Sequence, residues 1–403
     1  MLWYLFPSNH FRVIAVTGTN GKTTVTNLIA KILSSSGQKV GLISTIAFQI
    51  NDRIWENHSK KTTPDAFALQ KLLNQMKKAG CETVVLETSS HAVTQGRING
   101  INIDTAVLTN ITQDHFDFHG NFTKYREAKA ELFRHLNRST RKPSLPKISI
   151  LPREDPNFAY FNILPTDQKY TFGTNKGCTL SAVDIQTNAH GSSFILKAIN
   201  EKISVHLNLP GMFNVYNTLA AASASLAAGA SLQQIKAALE KISPFPGRTE
   251  TINEGQNFAV IVDFAHTPDA LENILKTFKP LTKGKLWLVF GATGERDRQK
   301  RPLMGQIADK LADEIILTND DTYYEDELDI ANEVAGGITR CEGQHFWIIL
   351  DRFEAIRYAI FHAQENDTII LAGKGCETVQ VLGAEWKPWD DREVARRILR
   401  SRK

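Results

Sequence analysis

A glycine-containing loop between a predicted strand and a predicted helix constrains the fold of this chain more than any other feature. Residues 12–16 (RVIAV) are a short β-branched run, residues 17–21 (TGTNG) form the loop, and a helical pattern begins at Lys22. In that order, backbone N–H groups and the helix N-terminus face an anion, and the lysine reaches the outer phosphates. The loop therefore predicts a phosphate site, with the hydroxyl of Thr23 available to hold magnesium.

The phosphate loop is shorter than the usual GxxxxGK[ST] form, because Val16 stands where the first glycine would be. The alternative is a tight strand-to-helix turn with an incidental lysine, which the strand before the loop and the helix after it argue against. A phosphate loop fits ATPases, GTPases, kinases and ligases equally, so this motif alone does not define a reaction.

Strand-like and helix-like segments alternate along most of the chain, which predicts an α/β protein with a parallel, doubly wound sheet. Short alternating runs between residues 179 and 209 predict a small antiparallel patch, and the proline-rich stretch 140–156 predicts a loop. The segment 243–247 (SPFPG) predicts a domain boundary. We therefore expect a central P-loop-type domain at residues 1–246 and a Rossmann-like α/β domain at residues 247–403.

Charge and cysteine content exclude several classes of function. Lysine and arginine number 47 against 43 aspartates and glutamates, and the net charge of +4 is too weak to predict binding of nucleic acid or an acidic membrane. No apolar run approaches the roughly 20 residues that cross a bilayer, and residues 1–6 (MLWYLF) are too short for a secretory signal. The four cysteines lie far apart without a CxxC pair, which is typical of a reducing compartment. We expect a cytoplasmic protein.

Polar side chains follow two further predicted strands. Glu87 ends the apolar run TVVLE, and because ligands gather at the carboxyl ends of strands in such sheets, this carboxylate suits magnesium. An ordinary strand-end acid is the alternative. In the segment 110–120, His115, Asp117 and His119 alternate and would share one face of an extended backbone as a transition-metal cluster. We favour the alternative in which His115 alone lies near magnesium.

The next segment predicts a helix that is capped by Asn121 and runs to about Leu136. It carries both Lys124 and Lys129. By periodicity Lys129 is a solvated lysine, and its spacing gives no reason to choose it over Lys124 as a functional group.

A series of blocks in this chain resembles, in order, the signature of the Mur ligase family, the ATP-dependent amide-bond ligases of peptidoglycan synthesis. The blocks are TGTNGKTT (17–24), ETSSHA (87–92), TNITQDHFDFHG (109–120), AK (128–129), GMFNVYN (211–217), GRTE (247–250), VDFAHTPDAL (262–271), FGATGERDRQKRPLMG (290–305) and AGKGCE (372–377). Within the family, ETSSHAVTQGRING, KRPLMG and AGKG resemble the MurE-type branch, which adds the third residue to UDP-N-acetylmuramoyl-L-alanyl-D-glutamate.

The resemblance implies a site for ATP and magnesium. Thr23 and Glu87 would hold one Mg²⁺ ion, and Glu87 with His115 would hold a second. Lys129 matches a family lysine that is carbamylated, which makes it a carboxylate-like group near the second ion. The implied catalytic residues are thus Lys22, Glu87, His115 and Lys129. The implied nucleotide-binding residues are Gly18, Thr19, Asn20, Gly21, Lys22, Thr23, Thr24, Asn214, Asn217, Arg248, Asp263 and His266.

The resemblance also implies substrate residues in both domains. The muramoyl dipeptide would lie in the central domain against Thr62, Thr63, Pro64, Ser89 and Arg97. The incoming amino acid would lie in the C-terminal domain against Arg301, Gly373 and Glu377. ATP would phosphorylate the free carboxylate of the dipeptide, and the amine of the amino acid would attack the acyl phosphate, so no protein nucleophile is needed.

Two departures from the family pattern concern the substrates. The phosphate loop begins at residue 17, so we expect the usual N-terminal domain for the uridine nucleotide to be absent here, either because the protein is a naturally short form or because the chain is a fragment. We then expect a high KM for the UDP substrate or a partner chain that supplies that site. Asp320-Asp321-Thr322-Tyr323 aligns with the Asp-Asn-Pro-Arg of diaminopimelate enzymes, so the arginine that pairs with the distal carboxylate is lost.

The acids at Asp320, Asp321, Glu325 and Asp326 would favour a distal ammonium, and our hypothesis is L-lysine or a similar diamino acid. The alternative is that 320–326 is a solvated acidic loop. In a third departure, Cys376 replaces the histidine of the usual AGKGHE, so contacts to the amino acid are expected to differ there.

Two other readings remain open. Folylpolyglutamate synthase, cyanophycin synthetase and poly-glutamate ligase share the phosphate loop, but they do not share SSHAVTQGRING with KRPLMG. A non-catalytic ATP-binding scaffold would not need the implied catalytic residues together with Thr23. We expect a monomer that uses ATP and Mg²⁺ and acts on the UDP-N-acetylmuramoyl dipeptide and a free amino acid.

Overall fold

The computed structural model describes residues 7–59 and 61–402, which form two compact units. The first unit comprises the chain up to Thr112, together with Asn121–Asn208 and Met212–Ile242. The second comprises Gln113–Gly120, Leu209–Gly211 and the chain from Ser243. The apolar run at residues 1–6 lies outside the described residues. Within the described part, no helix has the length and apolarity needed to cross a membrane.

An eleven-stranded sheet organises the first unit. Its strands are β1 (Arg12–Thr17), β2 (Val40–Ile43), β3 (Ala47–Ile50), β4 (Arg53–Glu56), β5 (Thr83–Glu87), β6 (Thr105–Leu108), β7 (Ile148–Pro152), β8 (Gln168–Gly173), β9 (Leu180–Asn188), β10 (Gly191–Ala198) and β11 (Lys202–Leu207). Their spatial order is β11-β10-β9-β8-β7-β6-β1-β5-β2-β3-β4. The strands from β2 to β9 in this order pair in parallel, and antiparallel pairs extend both edges. The predicted parallel sheet with an antiparallel patch is confirmed.

Helices follow the strands of the first unit as the alternating pattern predicts. They are α1 (Lys22–Ser35), α2 (Ala66–Lys78), α3 (Ser90–Thr94), α4 (Phe116–His119, within the segment that groups with the second unit), α5 (Phe122–Arg138), α6 (Phe158–Asn162), α7 (Met212–Ala227) and α8 (Leu232–Leu239). A 3-10 helix covers Pro7–His10. The predicted cap of α5 is confirmed, since the side chain of Asn121 accepts a hydrogen bond from the backbone N–H of Lys124 at 2.9 Å.

Strand β1 lies between β5 and β6, and this register gathers three strand ends. Val16 is opposite Glu87 on one side and opposite Val107 on the other. The loops that follow Thr17, Glu87 and Leu108 therefore leave the same edge of the sheet, where ligands of doubly wound sheets collect.

The second unit is built on a six-stranded sheet. Its strands are β12 (Glu250–Ile252), β13 (Ala259–Asp263), β14 (Leu286–Phe290), β15 (Glu314–Leu317), β16 (Phe346–Ile348) and β17 (Thr368–Ala372), in the spatial order β12-β13-β17-β14-β15-β16, and β18 (Val379–Leu382) and β19 (Glu385–Pro388) form a separate hairpin. Its helices are α9 (Pro268–Phe278), α10 (Lys300–Leu311), α11 (Glu327–Ala335), α12 (Arg352–His362) and α13 (Asp391–Ser401), with a 3-10 helix at Lys279–Leu281. Within the six-stranded sheet, all pairs except β12 with β13 are parallel, so the loops after Asp263, Phe290, Leu317 and Ala372 share one edge.

The prediction of a loop at residues 140–156 is wrong in part. Within it, β7 pairs in parallel with β6 and β8, and all of its residues are buried. The prolines suggested a loop, but Pro152 is the last residue of the strand and lies beyond Ile150, where the pairing of β7 with β6 ends. The hairpin of β3 and β4 was not predicted either.

Candidate active site

The phosphate loop has a backbone that requires its glycines. Gly21 has a φ of 80°, and a Cβ there would lie 2.1 Å from Oδ1 of Asn217 on α7. At Gly18, a Cβ would lie 1.8 Å from Oγ1 of Thr109. The ammonium of Lys22 folds over the loop and donates to the carbonyl oxygens of Gly18 at 3.0 Å and Thr19 at 2.7 Å. A cradle this tight, at a helix N-terminus, can hold phosphate oxygens against backbone N–H groups.

The loop is tied to the segment after β6 and to α7. Asn110 accepts backbone N–H bonds from Thr19 through its carbonyl and from Asn20 through its side chain, both at 2.9 Å. On α7, Asn214 and Asn217 are buried, and their side chains contact each other at 3.3 Å. Within the first unit, Asn217 thus lies next to Gly21, and Asn214, the other implied nucleotide-binding asparagine, lies against Asn217.

Glu87 is buried at the end of β5, where its carboxylate meets two hydroxyl groups. Oε1 accepts from the hydroxyls of Thr23 at 2.8 Å and Thr45 at 2.9 Å, and Oε2 accepts from the backbone N–H of Thr45 at 2.7 Å. Sequence reasoning missed Thr45, which follows β2 at the same edge of the sheet. A carboxylate beside hydroxyl oxygens is a donor set that suits Mg²⁺, so the residues present fit this ion.

Lys129 lies beneath the phosphate loop, with 1% of its surface exposed. Its ammonium donates to the carbonyl of Gly18 at 2.7 Å and lies 4.3 Å from the ring centroid of Tyr125, whose hydroxyl is 3.0 Å from that of Thr19. Lys124 is exposed on the same helix. The four-residue spacing between Tyr125 and Lys129 was the local signal that could have distinguished the two lysines.

The residues implied for the muramoyl dipeptide form one connected group beside Glu87. The hydroxyl of Thr63 donates to the carbonyl of Glu87 at 2.9 Å and accepts from the N–H of Ser89 at 3.2 Å. Arg97 donates to the carbonyl of Thr63 at 2.8 Å, and the hydroxyl oxygens of Thr45 and Thr62 lie 3.1 Å apart. Pro64 follows in the same segment.

His115 does not share an extended face with Asp117 and His119. It has a left-handed backbone (φ 57°) and precedes the short helix α4, so the three side chains do not alternate across a strand. Nε2 of His115 lies 3.1 Å from Asp114, and the described residues contain no metal-ligand cluster of these three. The shared face considered for a transition-metal cluster is therefore wrong, and the role of His115 near magnesium stays a prediction.

In the second unit, Arg248 and Asp263 lie close to each other. The guanidinium of Arg248 is 4.3 Å from the ring centroid of Phe264, and Asp263 accepts from the N–H of Thr249 at 2.7 Å and from its hydroxyl at 3.1 Å. Burial raises the pKa of Asp263 against the opposing charge of Arg248. Burial, with the nearby Lys300, lowers the pKa of His266 to about 4, so this imidazole is neutral at pH 7.

Three carboxylates surround the buried ammonium of Lys374. Lys374 lies 2.7 Å from Asp321, 2.5 Å from Glu377 and 4.0 Å from Asp320, and single oxygens of the three acids lie within 4.8 Å of one another. We call Asp320, Asp321, Lys374 and Glu377 the acidic cluster. Burial alone would lower the pKa of Lys374, but the three carboxylates raise it above its usual value. Burial, with Asp320 and Asp321, raises the pKa of Glu377 against the opposing charge of Lys374. The cluster has three carboxyl groups and one ammonium, a set that suits a cationic group.

Gly373 and Cys376 adjoin the acidic cluster. A Cβ at Gly373 would lie 2.5 Å from Oδ2 of Asp320, so the chain passes close to that carboxylate. Burial raises the pKa of the Cys376 thiol, which therefore stays uncharged at pH 7.

Arg301 lies outside the acidic cluster, and its expected role in binding the amino acid stays a prediction. It is fully buried, and one guanidinium nitrogen lies 2.8 Å from each of Glu325 and Glu333, so its charge is already satisfied. The exposed guanidinium nearby belongs to Arg296, 5.4 Å from the ring centroid of Tyr323. Glu325, which was expected to attract a distal ammonium, is likewise paired with Arg301.

Comparison with known proteins gives matches along almost the whole chain. Residues 16–225 match the Mur ligase middle domain, and residues 247–375 match the domain described as "Mur ligase, glutamate ligase domain". The UDP-N-acetylmuramoyl-L-alanyl-D-glutamate–2,6-diaminopimelate ligase of Geobacillus kaustophilus is 44% identical over 99% of this chain and 81% of that protein. The equivalent ligase of Halalkalibacterium halodurans is 40% identical over 99% of this chain and 80% of that protein.

Solved structures are similar as well. A structure titled as a UDP-N-acetylmuramoyl-L-alanyl-D-glutamate–2,6-diaminopimelate ligase superposes with a TM-score of 0.65 at 35% identity, covering 97% of this chain and 79% of that one. A folylpolyglutamate synthase of Mycobacterium tuberculosis, bound to ADP, superposes with a TM-score of 0.70 at 18% identity, covering 92% and 90%. At that identity the second likeness shows a shared fold alone.

Proposed function

The chain belongs to the Mur ligase family of ATP-dependent, ADP-forming ligases, and from that premise we propose that it adds the third amino acid to UDP-N-acetylmuramoyl-L-alanyl-D-glutamate in peptidoglycan synthesis. The observation that carries the proposal is that each unit contains its own site. Glu87, Thr23 and Lys22 supply a phosphate and metal site in the first unit, and the acidic cluster supplies a cation site in the second. We propose the domain division 1–246 and 247–403 for these two sites.

The proposed reaction has two steps. In the first, an oxygen of the dipeptide carboxylate attacks the terminal phosphorus of ATP, the bond to the bridging oxygen breaks, and ADP leaves. In the second, the amine of the amino acid attacks the acyl carbon, the carbon–oxygen bond to phosphate breaks, and the amine loses a proton. Lys22 and the N–H groups of the phosphate loop stabilise the transferring phosphoryl group. Magnesium, when bound beside Thr23 and Glu87, spreads the same charge.

Residues of the first unit have proposed positioning roles in the first step. Asn217 lies beside Gly21 and Asn214 lies against Asn217, and we propose that both contact the nucleotide. Thr63, Ser89 and Arg97 lie beside Glu87, where they would hold the dipeptide carboxylate near the phosphates. Arg248, Asp263 and His266 keep their proposed nucleotide roles.

We propose that the amino acid is a diamino acid and, more specifically, 2,6-diaminopimelate. The acidic cluster attracts the ammonium of the amino acid. Tyr323 stands where diaminopimelate enzymes have an arginine, and the exposed guanidinium of Arg296 above its ring can bind the distal carboxylate instead. The amino acid printed in the names of the similar ligases supports the same choice. L-lysine, the hypothesis from the missing arginine, is the competing outcome.

The test is phosphate release from ATP and Mg²⁺ with the UDP-N-acetylmuramoyl dipeptide and a panel of diaminopimelate, lysine, ornithine and diaminobutyrate. We expect release that requires both the dipeptide and one amino acid, with diaminopimelate preferred. Arg296→Gln is expected to reduce that preference over lysine roughly tenfold or more, since a charged hydrogen bond is lost. Phosphate release that does not depend on the dipeptide or on the amino acid would refute the ligase function. A preference for lysine that is the same in wild type and in Arg296→Gln would refute the assignment of Arg296 to the distal carboxylate.

A further inference from the structure

Arg352 is a fully buried arginine whose guanidinium joins four segments of the second unit. It is the first residue of α12. Nε and Nη2 donate to the two carboxylate oxygens of Asp391, at the start of α13, at 2.8 and 2.7 Å. Nη1 donates to the carbonyl of Asn319 at 3.2 Å, and Nη2 also donates to the carbonyl of Ala372 at 2.9 Å.

The two carbonyls that Arg352 binds come immediately before the acidic cluster. Asn319 precedes Asp320 in the loop after β15, and Ala372 ends β17 and precedes Gly373. Strand β14 lies between β15 and β17, so no direct ladder pairing connects these two strand ends. The guanidinium spans that gap through the carbonyls of Asn319 and Ala372. It thus joins the two segments behind the cluster, in addition to the contact of Lys374 with Asp321 inside it.

Stability alone is a weak reason for a buried ion pair at this place. Taking two charges out of water costs energy that their attraction only partly returns, and apolar residues of similar size often replace such pairs without loss. Burial alone would lower the pKa of Arg352, but Asp391, together with Asp320 and Asp321, raises it. The planar fork of arginine can donate to a carboxylate and to two carbonyls at once, which a lysine ammonium cannot do with the same geometry.

We propose that Arg352 is a positioning residue of the amino-acid site, which holds Asp320 and the Gly373–Glu377 segment at the separation that amino-acid binding needs. The inference rests on the proposed function of the acidic cluster. Arg352 acts without touching the amino acid, because it is buried behind the loops that it binds.

The test compares Arg352→Lys with a matched control, Arg340→Lys, in the intact chain. Arg340 also binds backbone in the second unit, since it forms an ion pair with Asp309 and donates to the carbonyls of Asp309, Ala312 and Asp313. It does so before β15, at the opposite edge of the sheet. We expect Arg352→Lys to raise the KM for the amino acid about tenfold, because small displacements of binding groups are costly. The KM of Arg352→Lys for ATP should stay within about twofold of the wild-type value. Both KM values of Arg340→Lys, for ATP and for the amino acid, should do the same.

Each outcome decides between separate claims. An unchanged amino-acid KM in Arg352→Lys, or parallel increases in the KM values for ATP and the amino acid, would overturn the positioning role while the ligase proposal stands. If ADP formation by the wild-type enzyme does not depend on the amino acid, the proposed function is wrong, and so is the role of Arg352. If Arg352→Lys does not fold, Asp391→Asn decides, because it frees the guanidinium on one side and should raise the same KM selectively; a wild-type KM there would overturn the proposal.

Discussion

The hydroxyl of Thr23 donates to the carboxylate of Glu87 at 2.8 Å, although 64 residues separate them in the chain. Thr23 belongs to the first turn of α1, and Glu87 is the last residue of β5. They meet because β1 and β5 are neighbours in register, so the loop after one strand and the end of the other leave the sheet together.

Changing Glu87 to Gln should remove the metal-binding charge while keeping the side-chain shape. We expect kcat to fall at least about a hundredfold, since the phosphoryl transition state loses its preorganised electrostatic support. We also expect the Mg²⁺ concentration that gives half-maximal activity to rise. The measurement is ADP formation against Mg²⁺ concentration. Glu82→Gln is the matched control, because Glu82 precedes the same strand at the opposite edge of the sheet and binds the N–H of Lys39 at 2.8 Å. Equal Mg²⁺ curves for wild type and Glu87→Gln would rule out the metal role.

Lys129 should be required for activity and should respond to carbon dioxide. A carbamate on Nζ keeps one N–H, so the bond to the carbonyl of Gly18 at 2.7 Å can persist after the modification. We expect Lys129→Ala to abolish ADP formation, and removal of bicarbonate to slow the wild-type enzyme. Lys124→Ala, on the exposed face of the same helix, should behave as wild type. Wild-type rates that are indifferent to bicarbonate would count against carbamylation.

Gly247→Ala should damage the amino-acid site more than an equally strained glycine elsewhere. Gly247 has a φ of 60°, and a Cβ there would lie 2.0 Å from the backbone N of Cys376, beside Glu377. Gly383 has a φ of 59° with nothing within 4 Å of its Cβ position, so Gly383→Ala reports the backbone strain alone.

We expect Gly247→Ala to lower the free energy of unfolding by roughly 1–3 kcal/mol more than Gly383→Ala, and to raise the amino-acid KM. Thermal unfolding and initial rates measure both effects. Equal losses in the two variants would show that the Cys376 backbone moves freely and would contradict the close packing.

The stability of the first unit should rise between about pH 8 and pH 10. Lys142 donates to the carbonyls of Phe11 at 2.7 Å and Asn102 at 3.0 Å and pairs with Asp104, and burial, opposed by Asp104, lowers its pKa from 10.5 to about 8. Because the unfolded chain keeps this proton up to about pH 10.5, unfolding takes up a proton in that window, and raising the pH favours the folded state.

Compared with Lys142→Met, the wild-type free energy of unfolding should gain on the order of 1–3 kcal/mol across this window. Urea unfolding of both proteins at several pH values measures the difference. Parallel pH curves for the two proteins would show that the pKa of Lys142 is not lowered.

Several parts of the site were predictable from local sequence. The strand–loop–helix order identified Lys22 and Thr23, and the end of an apolar run identified Glu87, because strand ends collect ligands in parallel sheets. The cap at Asn121 was predictable because one side chain satisfies a nearby N–H within four residues. Strand β7 was not, since its prolines resemble those of a loop.

Other parts depended on contacts between distant segments. Arg296 and Arg301 lie in the same motif (290–305), and nothing in the local sequence distinguishes them. In the fold, Arg301 is buried and paired with Glu325 and Glu333, whereas Arg296 is exposed. Thr45 carries no local signal and gains its contact with Glu87 through the pairing of β2 with β5.

The sequence by itself determined the α/β class, the phosphate loop and the membership of the Mur ligase family that its ordered motifs imply. These features depend on periodicity and on short-range spacing. The tertiary structure alone decided which charges are available. Whether a lysine or an arginine is paired, buried or exposed depends on carboxylates and carbonyls that the fold brings from dozens of residues away, as it does for Lys374 and Arg352. Those pairings are long-range electrostatic contacts, and no local pattern encodes them.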